Sequence, residues 1–403
     1  MKVEIGFDLA PNGVGDWFTL DDAVKGELDN STYKLSGEVL VDVTDQVKQV
    51  TARRGRSRTL EKFTAGVASV VLDNRSRLFD PLNAAGPYYG SIVPRKQVRI
   101  SVSDEPLFTG NVEDYDFDYS PDGDSTATVR AVDGFALLAD AVLTPGTQTA
   151  ELTGARVDAV LDDLDWPATM RAVSAGGATL DADYVGDNIN ALTYLAKVEL
   201  SEPGAFFMSK HGFATFRDRA DLQDFAASSV EFGPNDIPFV DYRAASVTEE
   251  MKNQVSVTYY GGSAVAGTAV ASDAASQLAY GVFDVTYDTL LGDATDAQDL
   301  ADTIVAQYAE PLYRVDAITV VLEDLSAAQQ ASVLGLELGD VALVSWTPNN
   351  VGDPISQYVT IDQIEHNADP VRHAVTFTLS QTQAAFVLDD AVFGRLDYNT
   401  LGF

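Results

Sequence analysis

Few residues in this chain have the type and spacing that chemistry needs. The three histidines, His211, His366 and His373, include no HExxH or other closely spaced metal-binding pair, so no catalytic zinc is expected. There is no cysteine, which removes disulfides, thiolate metal sites and a cysteine nucleophile together. Asp114, Asp116 and Asp118 cluster carboxylates as a hard cation would require. An EF-hand loop, however, wants Gly at its sixth position and Glu at its twelfth, where Tyr119 and Ser125 stand. The same stretch reads more simply as an amphipathic strand, with Tyr115, Phe117 and Tyr119 on one face and the three aspartates on the other. No G-x-S-x-G elbow, Walker loop or G-x-G-x-x-G is present, and the glycine pairs at Gly176 and Gly261 lack the Lys or helix start that a phosphate needs. Paired acids of glycosidase type carry no weight in so acidic a chain, because almost any fold would juxtapose some carboxylates. The expectation is a non-enzymatic protein without a cofactor or metal.

Charge is the strongest compositional signal. Sixty-one acids against 26 bases leave −35, which opposes general nucleic-acid binding, since that draws on Lys and Arg neutralising phosphates. Aspartate dominates and lysine is scarce, a balance resembling proteins of hypersaline cytoplasm; an Asp-rich protein of a high-GC bacterial host has it too. Ten of the 26 bases fall within 47 positions, at Arg53, Arg54, Arg56, Arg58, Lys62, Arg75, Arg77, Arg95, Lys96 and Arg99. This cluster reads either as a surface loop balanced by its own domain or as a docking patch for an acidic neighbour, with Arg53, Arg54, Arg56 and Arg58 as the candidate subunit contact. Asp114, Asp116 and Asp118 read either as a solvated outer face or as the lining of a channel whose like charge keeps phosphates from sticking.

The elements that would hold these residues are mostly strands. At 403 residues the chain has room for two to four domains, and 46% hydrophobic content gives each a core. The start MKVEIGFDLA has no signal-peptide pattern, and no apolar run is long enough to span a bilayer, so a soluble protein is expected. Alternation at Val39–Thr44, Val67–Asp73 and Val98–Val102 predicts antiparallel β structure, and Val112–Tyr119 with Ser125–Val132 predicts a hairpin around Pro121-Asp122-Gly123. Helices are predicted over about 154–164, capped by Thr153, from Asn188 to Pro203, and over Asp296–Ala309. A hairpin is expected at Ala205–Lys210 and Phe213–Arg217, and strands at Val255–Tyr259, Ala317–Leu322, Val341–Trp346, Tyr358–Ile364 and Ala374–Leu379, with a flexible loop over Gly261–Thr268. The division is therefore β over 1–139, α+β over 140–244, β with one helix over 245–382, and a tail over 383–403 that docks on a neighbour.

Ordered motifs run through this pattern: Arg53–Arg58, Ala65–Arg75 with its LDNR, Phe79–Pro81, Pro87–Gly90, Pro94–Ile100, Leu107–Gly110, Ala131–Ala139, Trp166–Pro167, Tyr308–Pro311, Leu334–Asp340 and Ile361–His366. In order and spacing they resemble the minor tail proteins of long-tailed phages, which are similar to baseplate-hub subunits. The resemblance implies an α+β, mainly β fold with two tail-tube-like antiparallel β-barrel domains joined by a small α+β domain. It also implies a homotrimer at the virion tail tip, assembled in the host cytoplasm, which joins the tube to the tip and surrounds the DNA channel. Its neighbours would be the distal tail protein, the tape-measure C-terminus and tip or fibre proteins, with DNA only in transit and no membrane span. Two alternatives stand beside it: a distal tail ring protein with one barrel per chain, which a second β domain argues against, and a receptor-binding tip protein.

Overall fold

The computed structural model describes residues 1–8, 38–57, 62–223, 230–245, 250–262, 264–311 and 314–381. Arg58, the tail over 383–403 and most of the first 37 residues lie outside the described residues.

Alternating apolar residues build a mainly β structure. In Thr64–Asp73 every second residue from Gly66 to Leu72 is buried, and in Thr126–Val132 the buried set is Ala127, Val129 and Ala131. Period-two burial of this kind directs one face of each strand to a common core. The predicted hairpin forms from Glu105–Asp118 and Thr126–Val132, with Gly123 at φ +86° supplying the left-handed turn residue.

Neither β half closes into a ring of hydrogen bonds among the described residues. Instead both belong to one 13-stranded sheet. Its path runs Asp241–Ala245, Arg314–Val321, His373–Gln381, Ile355–Ala368, Val47–Gly55, Thr64–Asp73, Thr126–Val132, Glu105–Asp118, Gln97–Val102, Lys2–Asp8 and Glu38–Asp42. Val341–Trp346 branches from Ile355–Ala368 and carries Glu231–Phe232 in parallel. The halves join where Gln363–Ala368 pairs antiparallel with Val50–Gly55. Ile355–Ala368 serves two neighbours on one side because its first six residues pair with Val341–Trp346 and its last six with the first half. The register shift between Ile361 and Gln363 marks the changeover and leaves Asp362 out of the ladder to the other neighbour, His373–Gln381.

The α+β part packs against the first β half, where Arg54 donates to the Met208 carbonyl and the Thr109 hydroxyl to the Lys210 carbonyl. Its helices are Thr153–Asp163 and Ala191–Ser201, followed by the hairpin Ala205–Met208 and Ala214–Arg217, with Gly212 at φ +84° in the turn. Thr153 does not cap its helix as expected. Leu152 holds the N-cap position, and the Thr153 hydroxyl donates to the Glu202 carboxylate. Asn190 caps the second helix, accepting from the Thr193 N–H at 3.0 Å. One apolar core runs through both β halves and these helices.

A second, separate core lies in the last third. Helix Ala294–Tyr308 packs Ala297, Leu300, Ala301, Ile304 and Val305 against Val255, Val257, Ala269 and Ala271 of a three-stranded sheet. That sheet is Ala264–Ser272, Gln254–Gly261 and Asp284–Asp288. The flexible loop expected over Gly261–Thr268 is therefore largely strand. Its Ala, Gly and Ser have weak β preference, but pairing with Gln254–Gly261 overrides local composition.

Candidate functional site

The residues with the richest electrostatics lie where the three parts of the chain meet. Val50, Ala52 and Arg54 share the buried face of Val47–Gly55, so Arg54 occupies a core position, 4% exposed, while Arg53 points outward. A buried guanidinium needs every donor matched. Arg54 donates through Nε to the Leu107 carbonyl at 3.1 Å, and through Nη1 to the Met208 carbonyl at 3.3 Å and to Glu337 Oε1 at 2.7 Å. Glu337 in turn accepts the backbone N–H of Lys210 at 2.9 Å and of Leu338 at 2.9 Å. Burial works to raise its pKa, but Arg54 and these donors prevail and hold it below the usual carboxylate value.

Lys210, 5% exposed, extends the network. Its ammonium donates to the carbonyls of Leu334 at 2.8 Å and Gly335 at 2.9 Å and pairs with Glu105 at 2.6 Å. Arg56 pairs with Asp362 at 2.9 Å, lies 4.0 Å from Glu199 and stacks over the Phe63 ring at 4.6 Å. Arg217 pairs with Asp340 at 2.7 Å in the wall of a cleft of about 830 Å³ that Phe216, Val230 and Leu336 also line. Each part therefore contributes ionisable groups: Arg54, Arg56 and Glu105 from the first β half, Glu199, Lys210 and Arg217 from the α+β part, and Glu337, Asp340 and Asp362 from the last third.

Two histidines finish the junction. His366 Nδ1 and His373 Nε2 stand 3.1 Å apart, one hydrogen bond between the two rings, and the His373 backbone N–H donates to Glu323 Oε2 at 3.0 Å. Burial, then His373, Arg54 and Lys210, push His366 well below the ordinary imidazole value, and burial lowers His373 to about 4. Burial also lifts Asp133 and Glu199 to about 7, although Asp133 accepts the Gly66 N–H at 2.8 Å and the Phe135 N–H at 3.0 Å.

Of the four arginines singled out by sequence, Arg54 and Arg56 are thus engaged inside the chain, Arg53 is exposed, and Arg58 lies outside the described residues. The three aspartates fall on the exposed face of their strand. Arg130, directly opposite Asp114 on the neighbouring strand, lies 2.5 Å from Asp116 and 3.6 Å from Asp114. Tyr115 and Phe117 stack at 6.2 Å on the other face, above buried Ala127 and Val129. Sequence reasoning missed Glu337, Asp362, Lys210 and the histidine pair as partners, although the alternation Val50, Ala52, Arg54 already signalled an inward arginine. Among the described residues no three His, Asp or Glu side chains are grouped to hold a metal ion, and no helix is long and apolar enough to cross a membrane. The arrangement is a saturated ionic lock. It ties strand, hairpin and loop carbonyls together, and its charged groups face one another.

No family model matches the sequence, and no curated protein matches it. Solved structures do match. The 43 kDa tail protein of prophage MuSo2 from Shewanella oneidensis is similar with a TM-score of 0.58 at 11% identity, over 94% of this chain and 98% of that one. The tail protein from Neisseria meningitidis MC58 is similar with a TM-score of 0.57 at 9% identity, over 85% of this chain and 94% of that one. The fold is one these tail proteins share, from one end of each chain nearly to the other.

Proposed function

We propose that this chain is a structural virion protein of a tail, and within the tail the hub that joins the tube to the tip and surrounds the DNA channel. The observation that carries the reading is the fold similarity to the MuSo2 tail protein, which runs through 94% of this chain and 98% of that one, so that no large part of either is left for a different task. The order of β, α+β and β parts, divided at about 139, 244 and 382, agrees with it. In this reading each β half supplies the wall of one tail-tube-like barrel. Three copies then put six such walls around a channel, matching a sixfold tube to a threefold tip. The distal tail protein, the tape-measure C-terminus and the tip or fibre proteins are the neighbours, and the last residues, 383–403, dock on one of them.

Asp114, Asp116 and Asp118 face the lumen in this arrangement, and Arg130 moderates their field without reversing it: three carboxylates against one guanidinium still repel phosphate. Of the four candidate contact arginines, Arg53 is the described one that remains on the surface for a neighbouring subunit.

Deleting the gene from the virus tests the reading. The expected outcome is a block in tail-tip assembly, with tails that lack tip proteins or no tails at all; complete, infectious particles without the protein would overturn it.

A further inference from the structure

The seam between the β halves is a short ladder. Six residues of Ile355–Ala368, from Gln363 onward, pair with Val50–Gly55, whereas nine pair with His373–Gln381 on the other side. His366 sits in the seam opposite Ala52, and His373 lies on the neighbouring strand; both are buried. The two rings therefore belong to the last third of the chain and move with it.

The cations that face them do not. Arg54 reaches His366 from Val47–Gly55 and Lys210 from the hairpin turn of the α+β part, while the N-terminal amine, at the start of the first half, faces His373. Of the carboxylates, Glu337 is engaged by Arg54 and Glu105 by Lys210, and Glu323 favours charge on His373. One hydrogen bond between two imidazoles uses one donor nitrogen and one acceptor nitrogen. A first added proton goes to the bare outer nitrogen and puts a cation beside Arg54 and Lys210. A second must enter between the rings, where it breaks their bond and sets two cations 3.1 Å apart. The first charge is relieved by moving the last third away from Arg54 and Lys210, which is the motion that parts the seam.

We infer that this seam is an acid-sensitive latch: when the His366–His373 pair takes up protons, the ladder between Val50–Gly55 and Gln363–Ala368 opens while the sheet on either side stays folded. An exposed histidine takes its proton near pH 6.5, and burial with the facing cations holds these two lower. Below 6.5 the open seam therefore binds more protons than the closed one, and acidification favours opening. Glu199, 4.0 Å from Arg56 just past the end of the ladder, acts the other way: its carboxyl is lifted to about 7, so exposing it below that value releases a proton. Asp133, also lifted to about 7, accepts the N–H groups of Gly66 and Phe135, both on the far side of the seam, and stays buried when it opens. The latch is independent of the hub reading.

Hydrogen exchange of the purified full chain in molar salt, compared at pH 7 and pH 5 after allowing for the intrinsic rate, tests it. In the Glu199→Gln variant, which removes the opposing acid, opening at Val50–Gly55 and Gln363–Ala368 is expected to rise at least about tenfold at pH 5, a release that one histidine held at about 4 supplies. Amides of Thr126–Val132 and Gln254–Gly261 should keep their protection. With Glu199 in place, His373→Gln should lower the ratio of seam opening at pH 5 to that at pH 7 by about tenfold relative to the parent, and this ratio is insensitive to any constant loss of stability. Seam amides as protected at pH 5 as at pH 7 in the Glu199→Gln variant, Thr126–Val132 loosening together with them, or a His373→Gln ratio equal to the parent's would each overturn the inference.

Discussion

At the scale of single residues, the buried charges at the junction make sharp demands. Removing Arg54 leaves Glu337 enclosed with its cation gone and the Leu107 and Met208 carbonyls short of a donor. Arg54→Ala is therefore expected to cost about 3–5 kcal/mol in denaturant melts, and a loss below about 1 kcal/mol would show that the ion pair is solvated. The titrating groups predict a pH profile with two opposing parts. An unfolded histidine takes its proton near pH 6.5, whereas folded His373 does so only at about 4 and folded His366 is likewise held well below its ordinary value. Between 6.5 and about 4 the unfolded state binds more protons, so stability falls on acidification by about 1.4 kcal/mol per pH unit for His373, and His366 acts in the same direction. Arg54, Lys210 and the N-terminal amine add to the penalty on a second positive charge, and Glu323 alone opposes it at His373. Asp133 and Glu199, lifted to about 7, act the other way: the folded state keeps their protons, so their effect is lost stability as pH rises from about 4 to 7. The two acids offset the histidines, so the parent should lose less melting temperature on acidification from pH 6.5 to 4 than a variant without them. The Asp133→Asn, Glu199→Gln double variant should lose melting temperature steadily over that range. A level profile in the double variant would remove the histidines from the account. Of all this, sequence showed only that basic residues cluster. Their partners were not legible because Arg56 and Asp362 stand 306 residues apart.

At the scale of elements, local signals worked where local physics decides. The helix expected over Asp296–Ala309 from its apolar spacing forms as Ala294–Tyr308, the hairpin forms around Gly123 as its turn residues require, and the strand Val341–Trp346 forms where it was expected. The misread stretch Gly261–Thr268 becomes strand through pairing, which composition cannot announce. The seam between the β halves has the same character. Gly55 sits there at φ +117°, and a Cβ on it would come within 2.1 Å of the Asp362 carbonyl oxygen, which also accepts the Arg56 N–H at 2.9 Å. Only glycine fits that conformation and approach. Gly55→Ala is expected to cost about 1–3 kcal/mol or more and to loosen the seam first. Hydrogen exchange checks this: amides of Gln363–Ala368 should lose protection before those of Thr126–Val132. Uniform loss across both strands would mean the seam is no weaker than the rest of the sheet.

For the whole molecule, the net charge and the shared sheet set the expectations. Self-repulsion of −35 charges is weak only where ions screen it, and at about 1 M salt the screening length is roughly 3 Å. Melting temperature should climb steeply from dilute buffer to molar salt, and a series already flat at physiological ionic strength would contradict a halophilic origin. The single sheet spanning both β halves could not be read from the sequence, because register across about 300 residues leaves no periodic trace. The central claim, that this chain is the tail hub, is tested most directly by a reconstruction of the virion's tail tip that locates the subunit. The account predicts three copies around the DNA channel, two β halves from each facing it and Asp114, Asp116 and Asp118 toward the lumen. A sixfold ring with one β half per chain at the channel, or a subunit placed away from the tube axis, would contradict it.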